Sequence, residues 1–541
     1  MCEICAQFRP TDDSCVYEEA AALTSTGTTS AALVNGTLTE LADYLTTGFW
    51  NDYGLNTRFF DTSSSNVITV NISDLNATEQ KLALSALEAW EMVADVTFVV
   101  TTSSSADITF YNDDGGNSTV LSAYSTSAVS GTTIQYSDVV ITSGWVNSYM
   151  GDEIGTYGYQ TYIHEIGHAL GLGHQSLYNG SADYPTDADF LNDSWQLSVM
   201  SYFSQSDNTS VNASYAYLVS TMMADILAIQ DLYGPAGEGS ATWGDTIWGL
   251  NSNLGNYFDG VFTDLSNGTT TTYSGDPIAL TIFDAEGEDT IDLSFSTTND
   301  RVDLNDESFS DVLGLVGNLG IASGTIIENY ISGAGNDHIT GNEADNKIYG
   351  GLGEDTIFGG AGNDLLDGGR ERDIIYGGDG DDEIYGFTSH DRLYGEDGND
   401  KLYGSNGLDY MKGGAGNDYL AGGRDADSLF GGDGNDQLRG GSGDDRLRGE
   451  AGSDMLYGQD GKDTFIFSDN FGRDAIYDFD IAEGEIIDLS DVSEITSWED
   501  LVANHLTETT GGSAQIYLDE NNIITISGVG TEQLTSDMFV F

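Results

Sequence analysis

The sequence predicts an α+β domain followed by an all-β parallel roll. Two patterns carry this: strand and helix periodicities alternate as far as Leu232, and a nine-residue repeat fills residues 331–467. The chain has 541 residues, enough for more than one core. It carries 89 Asp+Glu against 16 Lys+Arg, a formal net charge of -73, which excludes binding to nucleic acid and to anionic lipid headgroups. With 39% hydrophobic residues it is not an acidic disordered tail. No apolar run is long enough to insert in a membrane, and the polar first twenty residues lack the basic start and apolar run of a cleaved secretory signal.

In chain order, Val67–Ile72 alternates as a strand. Thr78 is placed to cap a helix with Leu84, Leu87 and Trp90 on one side. Thr97–Val100 and Asp107–Tyr111 read as further strands. A third helix candidate from Thr221 to Leu232 stops before Tyr233-Gly234-Pro235.

Between these lies His164-Glu165-Ile166-Gly167-His168, preceded by helix-compatible residues 159–163. His164 and His168 leave one helix face and can share a Zn²⁺ ion. Glu165, offset by about 100°, points to general base work rather than ligation. Gly171 permits a left-handed turn that brings His174 back as third ligand. Three nitrogens leave a coordination position open, the mark of a catalytic zinc. Downstream, Ser198-Val199-Met200-Ser201-Tyr202-Phe203 fits a Met-turn, with Met200 as apolar floor and the Tyr202 hydroxyl beside the metal. His338, His390 and His505 stand alone and read as surface residues.

The repeat has Asp at Asp337, Asp355, Asp364, Asp373, Asp382, Asp391, Asp400, Asp409, Asp418, Asp427, Asp436, Asp445, Asp454 and Asp463, with Asn346 in the one remaining slot. Two residues after each slot stands a large apolar side chain, from Ile339 to Phe465. Nine residues make a turn and a short strand, so two repeats complete one coil. Carboxylates then stack about 4.8 Å apart, which calls for a hard cation such as Ca²⁺ between them.

The zinc helix, the Ser198–Tyr202 turn, Asp225–Gln230, Gly244–Gly249, Asp284–Leu293, the nonapeptides and Asp537–Phe541 together resemble the serralysin family of metzincin zinc endopeptidases over almost the whole chain. The resemblance implies a secreted, extracellular protease acting on proteins and peptides as a monomer. It implies one catalytic zinc, several structural calcium ions, and export by type I secretion machinery that reads a C-terminal signal. Tyr202 becomes a candidate zinc ligand that also helps stabilise the transition state. The expected division is a propeptide-like segment at 1–40, a zinc metallopeptidase domain at 41–240, and a junction with the start of a β-sandwich or roll at 241–330. The RTX roll at 331–467 and a C-terminal cap with the secretion signal at 468–541 complete it.

Two features depart from the family pattern. Gln175 follows the third histidine where many members have proline, and Cys2, Cys5 and Cys15 stand outside the protease framework. The cysteines read as part of a disposable segment, with a thiolate plug on the zinc of a precursor as the alternative. Substrate is expected along an exposed sheet edge near 120–124. Two other readings remain: a calcium-dependent adhesive protein without catalysis, which would have no use for Glu165, and a protease of narrow specificity that processes one partner.

Overall fold

The computed structural model describes residues 33–112, 122–146, 151–178 and 181–541. Cys2, Cys5 and Cys15, and Val120 and Leu121 of the expected substrate edge, lie outside them. The chain divides into two compact units, one running to Asp289 and including Asp306–Ile326, the other made of Thr290–Asn305 and Ile327–Phe541.

The first unit is built on a five-stranded sheet of β1 (Val67–Asn71), β2 (Thr97–Val100), β3 (Ile108–Tyr111), β4 (Ala123–Ser130) and β5 (Thr133–Ile141), in the order β2-β1-β3-β5-β4. Four strands are parallel; β4 runs antiparallel to β5 and forms an edge. Ala123 and Tyr124 of the expected substrate edge lie on it. The helix Ala77–Glu91 packs against the helix Tyr157–Leu170, and the Trp90 indole donates to the Ile163 carbonyl at 3.0 Å.

Two local expectations change. The cap of the first of these helices is Asn76, not Thr78: its side chain accepts from Thr78 and Glu79, and Glu79 returns the bond to the Asn76 N–H. Leu84 is exposed, because the buried stripe runs through Leu82, Ala83, Ala86, Leu87 and Trp90. The helix expected from Thr221 spans Met223–Tyr233 and ends at Gly234, and a further helix, Tyr257–Asn267, follows it. Among the described residues, no helix is long and apolar enough to cross a membrane.

The second unit is a parallel roll. One of its sheets has eleven strands, from Arg301–Asp303 to Phe539–Val540. Partners along a sheet are eighteen residues apart, as Ile339 with Ile357 and Leu402 with Leu420, so each coil does consume two nonapeptides. The apolar residues from Ile339 to Phe465 at the repeat spacing are fully buried and fill the roll. At the C-terminal end, Phe539 pairs in parallel with Ile487 and is itself buried.

Candidate metal centre

The helix Tyr157–Leu170 starts at Thr156, whose side chain accepts the Tyr159 N–H, and stops at Gly171 with φ 113°, a conformation that a side chain would strain. That turn carries the chain back to His174. Each of His164, His168 and His174 offers a ring nitrogen, and the three nitrogens lie within 4.8 Å of one another. His164 Nδ1 is hydrogen bonded to the Val199 carbonyl and His168 Nδ1 to the Leu172 carbonyl, both at 2.8 Å. These bonds leave Nε2 as the ligating atom of each ring, and His168 Nε2 lies 3.0 Å from His174 Nε2. Burial holds His164 down to about 4 and His168 to about 3, the latter also through His164. His174 is lowered further by burial and by both neighbours. All three are neutral donors at pH 7, a set that suits zinc.

Glu165 is buried, its Oε2 has no hydrogen-bond partner, and burial pushes its carboxyl up to about 8. A carboxyl group held dry beside three imidazoles, with its proton affinity brought near neutrality, is suited to taking up and giving back a proton. Met200 is fully buried under the helix; a Cβ on Gly167 would come 2.6 Å from its sulfur. The Tyr202 ring lies 4.6 Å from that of His174 and 5.9 Å from that of His164, centroid to centroid. His338 and His390 are exposed and His505 is half-buried.

Several supporting residues carried no spacing signal. Tyr178 stacks on Tyr202 at 4.7 Å, accepts the Tyr202 N–H, and donates to buried Asp193. Asp225, fully buried, accepts from Ser198 Oγ, Val199 N–H and Met222 N–H.

In the roll the repeat carboxylates form two ladders. In one, the N–H of each slot donates to Oδ1 of the slot eighteen residues on, through Asp337, Asp355, Asp373, Asp391, Asp409, Asp427, Asp445 and Asp463. The other runs through Asn346, Asp364, Asp382, Asp400, Asp418, Asp436 and Asp454. It continues to Asp474, which two inserted residues hide from a count of nine. From Asp355 to Asp463 every slot leaves Oδ2 buried and without a partner. At Asp337, Oδ2 accepts from the Ser332 hydroxyl instead, and the Asn346 amide bonds Ile327, Glu328 and Asn342.

A glycine also stands five residues before every slot from Asn346 to Asp463. A Cβ on Gly413 would overlap Asp418 Oδ2 and lie 2.6 Å from the Gly431 carbonyl oxygen, and Gly359, Gly377, Gly395, Gly422 and Gly431 repeat this geometry. Each position is a small cradle between a carboxylate oxygen and the next coil's carbonyl. Burial first, and neighbouring carboxylates second, push these acids up: Asp364 and Asp382 to about 7, Asp427 to about 8. Hard oxygen donors that are dry, unpartnered and mutually repelling fit a divalent cation such as calcium.

A family model described as Peptidase M10 serralysin C terminal matches residues 239–540, and one described as Matrixin matches residues 62–188. The chain is 40% identical over 288 residues to Metallopeptidase AprA of Pseudomonas marginalis, covering 51% of this chain and 56% of that protein. It is 38% identical over 297 residues to Serralysin B of Dickeya chrysanthemi, covering 53% and 57%. It is 35% identical over 293 residues to Serralysin of Proteus mirabilis, covering 51% and 56%. The chain thus spans about half the length of the curated relatives it matches.

Proposed function

The chain belongs to the serralysin family of peptidases, and on that premise we propose that it is a secreted zinc endopeptidase. The observation that carries the reading is the convergence of His164, His168 and His174 beside an uncommitted, buried Glu165. Those imidazoles would hold one zinc ion, which when bound supplies a Lewis acid for the scissile carbonyl and an acidified water.

The chain's own groups do the rest. Glu165 takes a proton from the attacking water and returns it to the departing amine. The Tyr202 hydroxyl donates to the oxygen on which negative charge develops. Strand β4, last in the sheet among the described residues, offers N–H and C=O groups to an extended substrate backbone. Met200 keeps an apolar, shape-filling floor under the histidine helix.

The roll is assigned several calcium ions at the cradles between Asp355 and Asp463. Cation binding there becomes folding free energy, so the roll stays unfolded where calcium is scarce and folds once outside the cell. Export through type I machinery, guided by the C-terminal segment ending at Phe541, belongs to this reading. We place the removable N-terminal segment before Val34, whose carbonyl accepts from Leu191, and before Gly36, which exchanges two bonds with the Asn192 amide.

Casein hydrolysis by purified Glu165→Ala protein tests the assignment, together with chelation and return of zinc to the wild type. Activity should vanish in the variant, vanish on chelation and recover with zinc. Proteolysis that survives either treatment would overturn the reading.

A further inference from the structure

The turn that delivers His174 is tied down from an unexpected direction. The helix Leu38–Asp43 runs into a π turn over Tyr44–Gly48. There the Phe49 N–H reaches back five residues to the Tyr44 carbonyl, not four to that of Leu45. The Leu45 carbonyl accepts the Gly173 N–H at 2.7 Å. One turn later the Phe49 ring meets the His174 imidazole edge-on, with centroids 5.3 Å apart. The Trp50 indole N–H donates to the Gly171 carbonyl at 2.8 Å, and the Arg58 guanidinium covers that indole at 3.7 Å. Gly173 has no room for a Cβ against Phe49, so the packing is closed. Leu41, Ala42 and Leu45 anchor the segment with no exposure.

We infer that Leu45, Phe49 and Trp50 form a positioning element for the third metal ligand. The turn Gly171-Leu172-Gly173 contains two glycines and would sample many backbone states if held only by the helix before it. The segment fixes the Gly171 carbonyl, the Gly173 amide and the His174 ring. It therefore removes that freedom before a metal arrives, which is preorganisation in the ordinary sense. The π turn has a function on this view: it re-aims a carbonyl at the metal loop, a use seen for π-bulges at functional sites. It also follows that processing must leave the chain from Thr37 onward attached. The inference rests on the proposed reading of the histidines as a zinc site.

The test uses the full chain, stripped of metal, with zinc affinity read by competition against a chromophoric chelator. The visible spectrum of the cobalt-substituted protein and the melting temperature of the apo form accompany it. Trp50→Phe removes the bond to Gly171, and Phe49→Leu removes the edge contact with His174. Trp248→Phe is the control, because its indole bonds Thr246 instead. Both test variants should bind zinc about tenfold or more weakly and shift the cobalt spectrum, with the apo melting temperature lowered no more than in the equally buried control. The control should leave affinity unchanged. If Trp50→Phe does not fold, Phe49→Leu decides alone. Unchanged affinity and spectrum in the test variants, or an equal loss in the control, overturns the inference while the zinc reading stands. Wild-type protein that takes up no zinc removes the functional reading and this inference together.

Discussion

Asp225 holds Val199 from below: its Oδ2 accepts the Val199 N–H at 2.7 Å, while the Val199 carbonyl is hydrogen bonded to His164 Nδ1 at 2.8 Å. The backbone of one residue thus joins a buried carboxylate to a candidate metal ligand. Its Oδ1 accepts from Ser198 Oγ at 2.6 Å, and its Oδ2 also accepts the Met222 N–H at 2.9 Å. Burial pushes the Asp225 carboxyl up to about 6, with these bonds opposing it, so the group is mainly ionised at pH 7.

Asp225→Ala should therefore harm the metal site from a distance. It strands buried donors, each costing about 1–3 kcal/mol, and frees the turn that orients His164. A loss of about 3 kcal/mol in stability and about ten- to a hundredfold in zinc affinity is expected, read by denaturant melts and chelator competition. Asp225→Asn keeps the shape but retains only one acceptor oxygen, and should fall between wild type and Ala. Wild-type affinity in the Ala variant would show that the turn stands without its carboxylate.

Much of this is legible in the sequence itself. His164, Glu165 and His168 lie on one short helical segment, where helix geometry fixes their faces, and Gly171 marks the turn that brings His174 back. The roll was legible for a similar reason: stacking identical coils imposes strict translation, and translation shows as period. What escaped depends on contacts between segments far apart in sequence. Asp193 and Tyr178 support Tyr202 through a loop with no periodicity, and Leu45 meets Gly173 across the fold. Asp474 escaped because an insertion breaks the count while the ladder continues. Asn76 and Thr78 are both capping types, and only the reciprocal Glu79 bond decides between them.

The phenol of Tyr202 is held by stacking on Tyr178, 4.7 Å away, rather than by the metal site alone. Tyr202→Phe should fold normally and retain zinc. If the hydroxyl meets developing charge, kcat should fall about a hundredfold with KM nearly unchanged. A peptide substrate assayed under saturating and limiting conditions separates the two constants. A change confined to KM would move Tyr202 from transition-state stabilisation to simple binding.

Gly413→Ala and Gly255→Ala separate space from backbone strain. Gly413 has no room, facing Asp418 Oδ2 and the Gly431 carbonyl; Gly255 has φ 70° but open space around it. Alanine at Gly255 should cost about 1–2 kcal/mol and leave calcium dependence alone. Alanine at Gly413 should cost about 1–3 kcal/mol and raise the calcium concentration needed for folding, because the added methyl occupies the cradle. Calcium titrations followed by circular dichroism distinguish them. Identical calcium midpoints for both variants would contradict a cation at that cradle.

The roll should trade protons for calcium. Its acids are raised in the folded state, Asp355 and Asp400 to about 7 and Asp373 to about 9, first by burial and then by like charges nearby. Unfolded, the same carboxyls titrate near 3.9. Without a cation the folded roll therefore binds more protons than the unfolded chain between these values. Its stability is then greatest below about pH 4 and declines as pH rises through about 7. Calcium reverses the sign, since bound cations favour the ionised carboxylates that protons would otherwise neutralise. With a chelator present, the full chain should show little roll structure at pH 7.5 and gain strand signal on acidification toward pH 5. With millimolar calcium the signal should be present at pH 7.5 and the calcium midpoint should rise as pH falls. Protein that keeps the same strand content at pH 7.5 with and without calcium would mean that the stacked carboxylates are neutralised by something other than a cation.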